Sequence, residues 1–372
     1  MRAPRRRDNQ RVPGIYISWP FCAQKCTYCN FASGVQPKEL EAQYGETLRA
    51  EFAAYEWQFT PDTLYIGGGT PSAIEPEDLV RLLEPLPGRP WREATMEAAP
   101  GSLSAPKIEA WLRAGINRVS LGVQSFVKAE LARTGRKHDA GTVERDAALL
   151  RAHGMDNINL DLISGLPGQT EASWRESLEG VLRLEVPHVS VYMLEVDDDS
   201  RLGSEIILGG KRYGAFDVPT EDRIASFYEQ AVETLEAHGL HRYEISNFAR
   251  PGAESIHNLK YWRREPYIGF GADAHSFDGT ARWQNFETAR EYVERAPAFR
   301  SEQTAADAVE EKFFVGLRLT EGVAPNASDW QRFGHAFDRF LSTGVMERSG
   351  ERLRLTPRGI MVSNEIFQEF IA

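Results

Sequence analysis

From Gly14 to about Leu194 the chain repeats one pattern: a short apolar run, a turn, then a longer stretch with apolar residues at helical spacing. The pattern predicts strands over 14–18, 63–66, 94–98, 118–122, 157–162 and 189–194. Helices are expected between them over 38–58, 75–83, 105–114, 141–153 and 171–184. Strands that alternate with helices pair in parallel, because each crossover returns the chain to the same end of the sheet. Six such units suit a partial (β/α)6 TIM-like barrel better than a small open sheet, so the expected class is α/β. With 372 residues, the chain has room for this barrel and an appended domain.

After Leu194 the rhythm breaks. The reading divides the chain into a flexible basic arm over 1–12, the barrel over 13–200, a linker with an irregular aromatic-rich segment over 201–303, and a C-terminal domain over 304–372. The last part reads as α+β: helices around a short hairpin (346–349 and 352–355), the outline of a winged-helix-like module. That outline does not imply DNA binding. Asp and Glu number 54 against 43 Lys and Arg, and a net charge of −11 argues against a protein that neutralises nucleic-acid phosphates. No apolar run approaches the roughly 18 to 20 residues of a spanning helix. The arm carries Arg5-Arg6-Arg7 without a following apolar stretch, so no signal peptide is expected.

The chain's three cysteines all fall within eight positions: Cys22, Cys26 and Cys29, spaced C-x3-C-x2-C directly after the first strand. An odd number so clustered is no disulfide framework; a reduced, cytoplasmic protein is expected. Thiolates select soft metals, zinc or iron–sulfur clusters among them. Structural zinc takes four protein ligands, and no second Cys/His pair exists here. Three thiolates on a [4Fe–4S] cluster leave one iron open for a small chelating molecule. Other marked residues also fall at predicted strand ends, where a parallel barrel assembles its site. These are Gly67-Gly68-Gly69-Thr70-Pro71, Glu97, Gln124 and Asp161, with Arg136 in a cationic stretch whose alternative role is simple solvation.

The cysteine spacing, with Tyr28 just before the third thiol, resembles the radical S-adenosylmethionine (SAM) superfamily. The resemblance implies a radical SAM barrel with a [4Fe–4S] cluster on Cys22, Cys26 and Cys29. In that family the open iron binds SAM, and one electron splits the sulfonium to give a 5′-deoxyadenosyl radical. It narrows further through Gly14–Cys22, the Gly-Gly-Gly-Thr-Pro run, Gly122-Val-Gln-Ser-Phe126, Asp161–Thr170, Glu311–Arg318 and Leu355–Gly359. Together these look like the branch that holds oxygen-independent coproporphyrinogen III oxidases and HemW-type heme chaperones. By matching motifs, the implied SAM contacts are Tyr16, Tyr28, Gly68, Gly69, Thr70, Glu97, Gln124, Arg136 and Asp161.

Two features separate the branches. The oxidases carry a fourth cysteine two residues after the third, whereas Cys29 is followed here by Asn30-Phe31. His257-Asn258-Leu259-Lys260-Tyr261-Trp262 is similar to the H-N-x-x-Y-W motif of HemW-type proteins. The resemblance makes His257 a candidate heme ligand; from spacing alone it reads equally as a hydrogen-bonded core histidine with aromatic neighbours. His275 is a second candidate, while His138 and His241 carry no signal. The chain also departs from the pattern: relatives read Tyr-x-His-x-Pro before the cluster, and here Ser18 takes the histidine's place. Asn30 stands where relatives often have Asp.

The implied function is a cluster- and SAM-binding heme chaperone that passes heme to acceptor proteins. In the family these acceptors are membrane respiratory enzymes, so peripheral membrane association is implied too. The alternative is the oxidase reaction, radical oxidative decarboxylation of porphyrinogen propionates. A third reading is a zinc-dependent regulator.

Overall fold

The computed structural model describes residues 12–296, 304–305 and 307–371. The expected basic arm thus lies outside the described residues except for Val12, whose carbonyl accepts a hydrogen bond from Lys260 Nζ (2.7 Å).

Six strands lie side by side in sequence order: β1 (Gly14–Trp19), β2 (Thr63–Gly68), β3 (Glu93–Ala98), β4 (Arg118–Gln124), β5 (Ile158–Ser164) and β6 (His188–Met193). Every neighbouring pair is parallel. Their crossovers carry α1 (Lys38–Ala54), α2 (Pro76–Leu83), α3 (Ala105–Ala114), α4 (Lys128–Arg133), α5 (Ala140–Ala152) and α6 (Glu171–Arg183). Local chemistry sets the helix starts. The Asp139 carboxylate accepts from Thr142 N–H to start α5, and Thr170 and Ser173 form a reciprocal capping box on α6.

The two faces of these strands differ in chemistry. Ile15, Ile17, Leu64, Ile66, Met96, Val119, Leu121, Leu160, Leu162, Val189 and Val191 are fully buried, in one core with Trp111, Leu150 and Trp174 from the helices. Truncating one of these leucines to alanine costs about 2–5 kcal/mol. The alternate positions are polar. Register pairs Tyr16 with Tyr65, Glu97 with Ser120, Ser120 with Asn159, and Asp161 with Ser190. This second face lines the concave side of the sheet.

The stretch 201–303, expected as linker, extends both edges of this sheet. It begins with α7 (Arg201–Leu208) and α8 (Glu221–Ala237). Next come β7 (His241–Arg242) and β8 (Asn247–Ala249), with β8 antiparallel on β6. After α9 (Ile256–Trp262), β9 (Tyr267–Phe270) pairs in parallel with β1. Beyond it β10 (His275–Phe277), β11 (Ala281–Gln284) and β12 (Thr304–Ala305) continue antiparallel. The sheet therefore runs from β12 to β7 without closing, a partial barrel. Strands of two to four residues are too short to show a period in sequence, so only pairing reveals them.

The C-terminal part is helical around the expected hairpin, Met346–Ser349 paired with Arg352–Leu355. Its core is aromatic: Phe313 lies 5.6, 5.1 and 5.2 Å (ring centroids) from Phe333, Phe337 and Phe370. It docks on the sheet through the buried Glu311 carboxylate, which accepts from Arg264 Nε (2.7 Å) and Arg282 Nε (2.5 Å). The Arg318 guanidinium lies 4.6 Å over the Trp262 ring of α9.

Candidate functional site

The three cysteines follow β1 at its C-terminal end, in a loop whose neck is closed by backbone bonds. Cys22 N–H donates to Gly34 O and Gly34 N–H to Pro20 O, both at 2.9 Å. Thr27 N–H donates to Thr134 O (3.2 Å), and Leu202 N–H donates to Thr27 O (2.9 Å). Gln24 Nε2 donates to Gly135 O at 2.7 Å. The loop is thereby fixed to the residues after α4 and to the start of α7. All three thiols are partly buried. Burial pushes the Cys22 thiol above its ordinary pKa, the Ser33 and Thr70 hydroxyls pull it down, and the nearby Cys29 and Cys26 raise it. A bound cation would reverse that balance in favour of thiolates.

Among the described residues, no three Cys, His, Asp or Glu side chains converge on one single-ion position. Three thiolates that each take a different iron of a cluster need no common point. The three cysteines of the chain all lie on this loop, and three thiol donors suit a cubane held by three ligands better than a structural zinc, which takes four protein ligands.

The glycine-rich turn packs directly on this loop. Gly69 N–H donates to Trp19 O and Thr70 N–H to Phe21 O, both at 2.8 Å. A Cβ on Gly69 would lie 2.6 Å from Phe21 O, so no larger residue fits without moving the cysteine loop. Gly68 has φ +109°, open to glycine, and its N–H donates to Glu97 Oε2 (3.1 Å). The Tyr65 hydroxyl donates to Glu97 Oε1 (2.9 Å). Burial, and then the charge of Asp161, push the Glu97 carboxyl up to about 7. Asp161, itself raised by burial, accepts from Ser120 Oγ (2.9 Å) and Asn159 Nδ2 (2.8 Å).

Gln124 sits at the end of β4 with φ +67°, just after a register shift against β5. A non-glycine residue in the left-handed region is strained, and such strain gathers at ligand sites. Its buried Oε1 has no hydrogen-bond partner. Arg136 Nη1 donates to Gly122 O (2.7 Å), and its guanidinium lies beside Tyr28. Burial by itself would lower the Arg136 pKa; Tyr28, Cys26 and Asp161 together hold it above the ordinary value. The Tyr16 phenol is raised by burial and by the charge of Glu97. Thus the structure brings Tyr16, Tyr28, Gly68, Gly69, Thr70, Glu97, Gln124, Arg136 and Asp161 to one mouth with the cysteines.

This arrangement fits SAM. It offers carboxylates for hydroxyl and ammonium groups and an unpaired amide oxygen beside the cysteine loop. Several lining residues escaped the sequence reading: Tyr65, Ser120, Asn159, Ser190 and Tyr192. Burial of the phenol, and then the charge of Asp161, raise the Tyr192 pKa. The available signal was polar residues at every second position of strands that otherwise read as continuous apolar runs.

His257 lies elsewhere. It contacts the first residues of β1 and β2, at the opposite end of the strands from the cysteines. The side chain is fully buried, with Nδ1 bonded to Thr63 Oγ1 (2.9 Å) and Nε2 to the Tyr261 hydroxyl (2.8 Å). Burial, and then the Lys260 charge, lower its pKa to about 3, so the ring is neutral. Both nitrogens are occupied, and a metal can reach neither in this conformation. Glu93 fastens the helix by accepting from His257 N–H (2.8 Å) and Ile256 N–H (3.0 Å). His275 is exposed at the start of β10, apart from His257.

A parallel partial barrel with a three-cysteine loop after its first strand and glycine, amide and carboxylate groups at the strand ends defines a radical SAM protein. A family model described as the Radical SAM superfamily matches residues 16–181, and one described as the HemN C-terminal domain matches 303–362. Proteins named heme chaperone HemW from Lactococcus lactis subsp. lactis and Bacillus subtilis are 33% and 34% identical to it. Each comparison covers 97% of this chain, and 98% and 99% of those proteins respectively. The chain belongs to the HemW family. In fold it is similar to the solved coproporphyrinogen III oxidase (HemN) of Escherichia coli, with a TM-score of 0.82, 21% identity, and coverage of 97% of this chain and 90% of that one.

Proposed function

We propose that this protein is a heme chaperone: it holds a [4Fe–4S] cluster and SAM in the barrel mouth, binds heme, and delivers it to acceptor proteins. The observation that carries this reading is the full-length likeness to proteins named as heme chaperones, in a chain without the cysteine that oxidases place after the third thiolate. A cytoplasmic setting suits three free thiols on one loop. The acceptors proposed are respiratory enzymes at the membrane, reached by peripheral association.

Cys22, Cys26 and Cys29 would hold the cluster, which when loaded supplies an open iron and one electron for SAM. Glu97, Asp161, Gln124 and Arg136 bind and orient SAM, with the turn of Gly68, Gly69 and Thr70 beside it. Heme is assigned to the His257–Trp262 segment. Iron at His257 must first displace Tyr261 from Nε2, because Nδ1 faces Thr63 in the deeper core.

The test is an anaerobic hemin titration of cluster-loaded protein, followed in the Soret band, with His257→Ala beside the wild type. Saturable binding that weakens at least tenfold in the variant is expected. Unchanged binding would move the ligand and bring His275 forward; no specific binding would sink the chaperone reading. Cys26→Ala should lose the cluster yet keep heme binding, since the two sites lie at opposite ends of the strands. Conversion of coproporphyrinogen III to a vinyl-bearing product would favour the oxidase instead.

A further inference from the structure

The space between the barrel mouth and α9 is filled by polar and aromatic side chains in continuous contact. Tyr65, in the middle of β2, touches both ends. Its hydroxyl donates to Glu97 Oε1 (2.9 Å), while its ring lies 5.5 Å from the His257 ring and 6.2 Å from that of Tyr16. His257 then passes to Tyr261, and Tyr261 packs edge-on against Tyr267 of β9 at 4.6 Å. A second ladder runs beside it. Asn159 donates to Asp161, His188 Nδ1 meets Asn159 Oδ1 (2.6 Å), and His188 Nε2 meets the Tyr243 hydroxyl (2.9 Å). That hydroxyl accepts from the N–H of Ser255, the cap residue of α9.

We propose that Tyr65 is a positioning residue that couples occupancy of the SAM pocket to the packing of α9, through His257, against β2. The inference rests on the reading of the mouth as a SAM site. Glu97 has two donors, Gly68 N–H and Tyr65 O–H, and a ligand cation or hydroxyl reaching it favours the charged carboxylate. A charged acceptor strengthens the Tyr65 bond, since hydrogen bonds to ionised groups are about twice as strong as neutral ones. The ring is thereby held where His257 packs on it. SAM keeps His257 packed against β2, and its departure loosens α9. A helix of seven residues, tied at its start by Glu93 and packed at its end on Arg318, is small enough to open as a unit.

The test is amide hydrogen exchange over residues 255–263 of anaerobic, cluster-loaded protein with and without SAM, in wild type, Tyr65→Phe and Tyr261→Phe. SAM should slow exchange in the wild type at least fivefold. Tyr65→Phe keeps the ring but removes the hydroxyl; it should weaken SAM binding about tenfold and, at saturating SAM, erase the protection of α9. A merely structural Tyr65 would shift both states equally and leave the difference intact. Tyr261→Phe, which loosens the far side of His257, should raise exchange in both states and keep the difference. Wild-type SAM binding without any change in α9, or a difference that survives in Tyr65→Phe through the Asn159–His188 ladder, overturns the proposal. Failure of the wild type to bind SAM overturns the reading of the mouth itself.

Discussion

Gly69 shows how much a single absent carbon decides. The turn after β2 and the chain just before Cys22 touch backbone to backbone there, and a Cβ would sit 2.6 Å from Phe21 O. Gly69→Ala should cost about 1–3 kcal/mol, the range for overpacking a fitted contact. Because the displaced partner is the cysteine loop, the iron and sulfide retained after reconstitution should fall as well. Gly45→Ala is the control: it lies within α1, and a Cβ there meets nothing within 4 Å. It should leave metal content unchanged and add about 0.5–1 kcal/mol of stability. Iron and sulfide analysis beside thermal unfolding checks both. At this scale the sequence was informative where chemistry is local: the three thiols and the glycine run could be read directly. Tyr65 and Asn159 left only an indirect trace, a polar side chain alternating with apolar ones, which does not say what either contacts.

The decisive element is α9. In sequence its H-N-x-x-Y-W run supported both a heme ligand and a core histidine. The structure shows the imidazole with both nitrogens bonded, in a helix capped by a buried carboxylate. Glu93 accepts from Ser255, Ile256 and His257 while lying 3.7 Å from Arg118, and the two side chains are each 3% exposed. Glu93→Ala removes the cap and leaves the Arg118 charge short of its partner. Breaking such a buried pair costs about 3–5 kcal/mol. Urea unfolding should report that loss, and exchange over 255–263 should rise before the rest of the barrel. A drop under 1 kcal/mol would show that Asn157 and Ala253, which also accept from Arg118, suffice. The six long strands and five of the helices between them were readable because apolar runs and a 3.6-residue period persist there; α4, a single short helix of six residues after β4, was not expected. The short strands β7 to β12 and the helix α9 were not, because they owe their form to the neighbours they meet.

Across the whole molecule, buried ionisable groups set the pH response. His257, at about 3, and His138, lowered to about 4 by burial and then by Arg136, are neutral in the fold but protonate near 6.5 when unfolded. The unfolded chain therefore binds more protons below 6.5. The stability these histidines give is full above that pH and is lost as pH falls toward 4 and then 3. Glu97 has the opposite sign: with its pKa raised to about 7, its contribution is present below 4.5 and fades as pH rises through 7. In His257→Gln the unfolding free energy should rise less steeply with pH between 4 and 6.5, by at most about 1.4 kcal/mol per pH unit. Glu97→Gln should steepen the rise between 5 and 7. Denaturant titrations across pH check both, read from slope rather than level; parallel wild-type and variant slopes would contradict the assigned burial.

The sequence by itself determined what depends on covalent spacing and on repeated local pattern. It specified a parallel α/β barrel, a loop of three cysteines after the first strand, and glycines at the next strand end. Thiolate spacing and hydrophobic period act over a few residues, so they survive in one dimension. The tertiary structure alone decided which polar residues face the barrel interior, that the edges of the sheet are built from the segment read as linker, and that His257 is sealed at the far end of the strands. Those outcomes depend on contacts between residues far apart in the chain, such as Thr63 with His257 and Glu93 with Ser255. Burial is a property of the assembled molecule, and it alone turned an ambiguous histidine into a closed one.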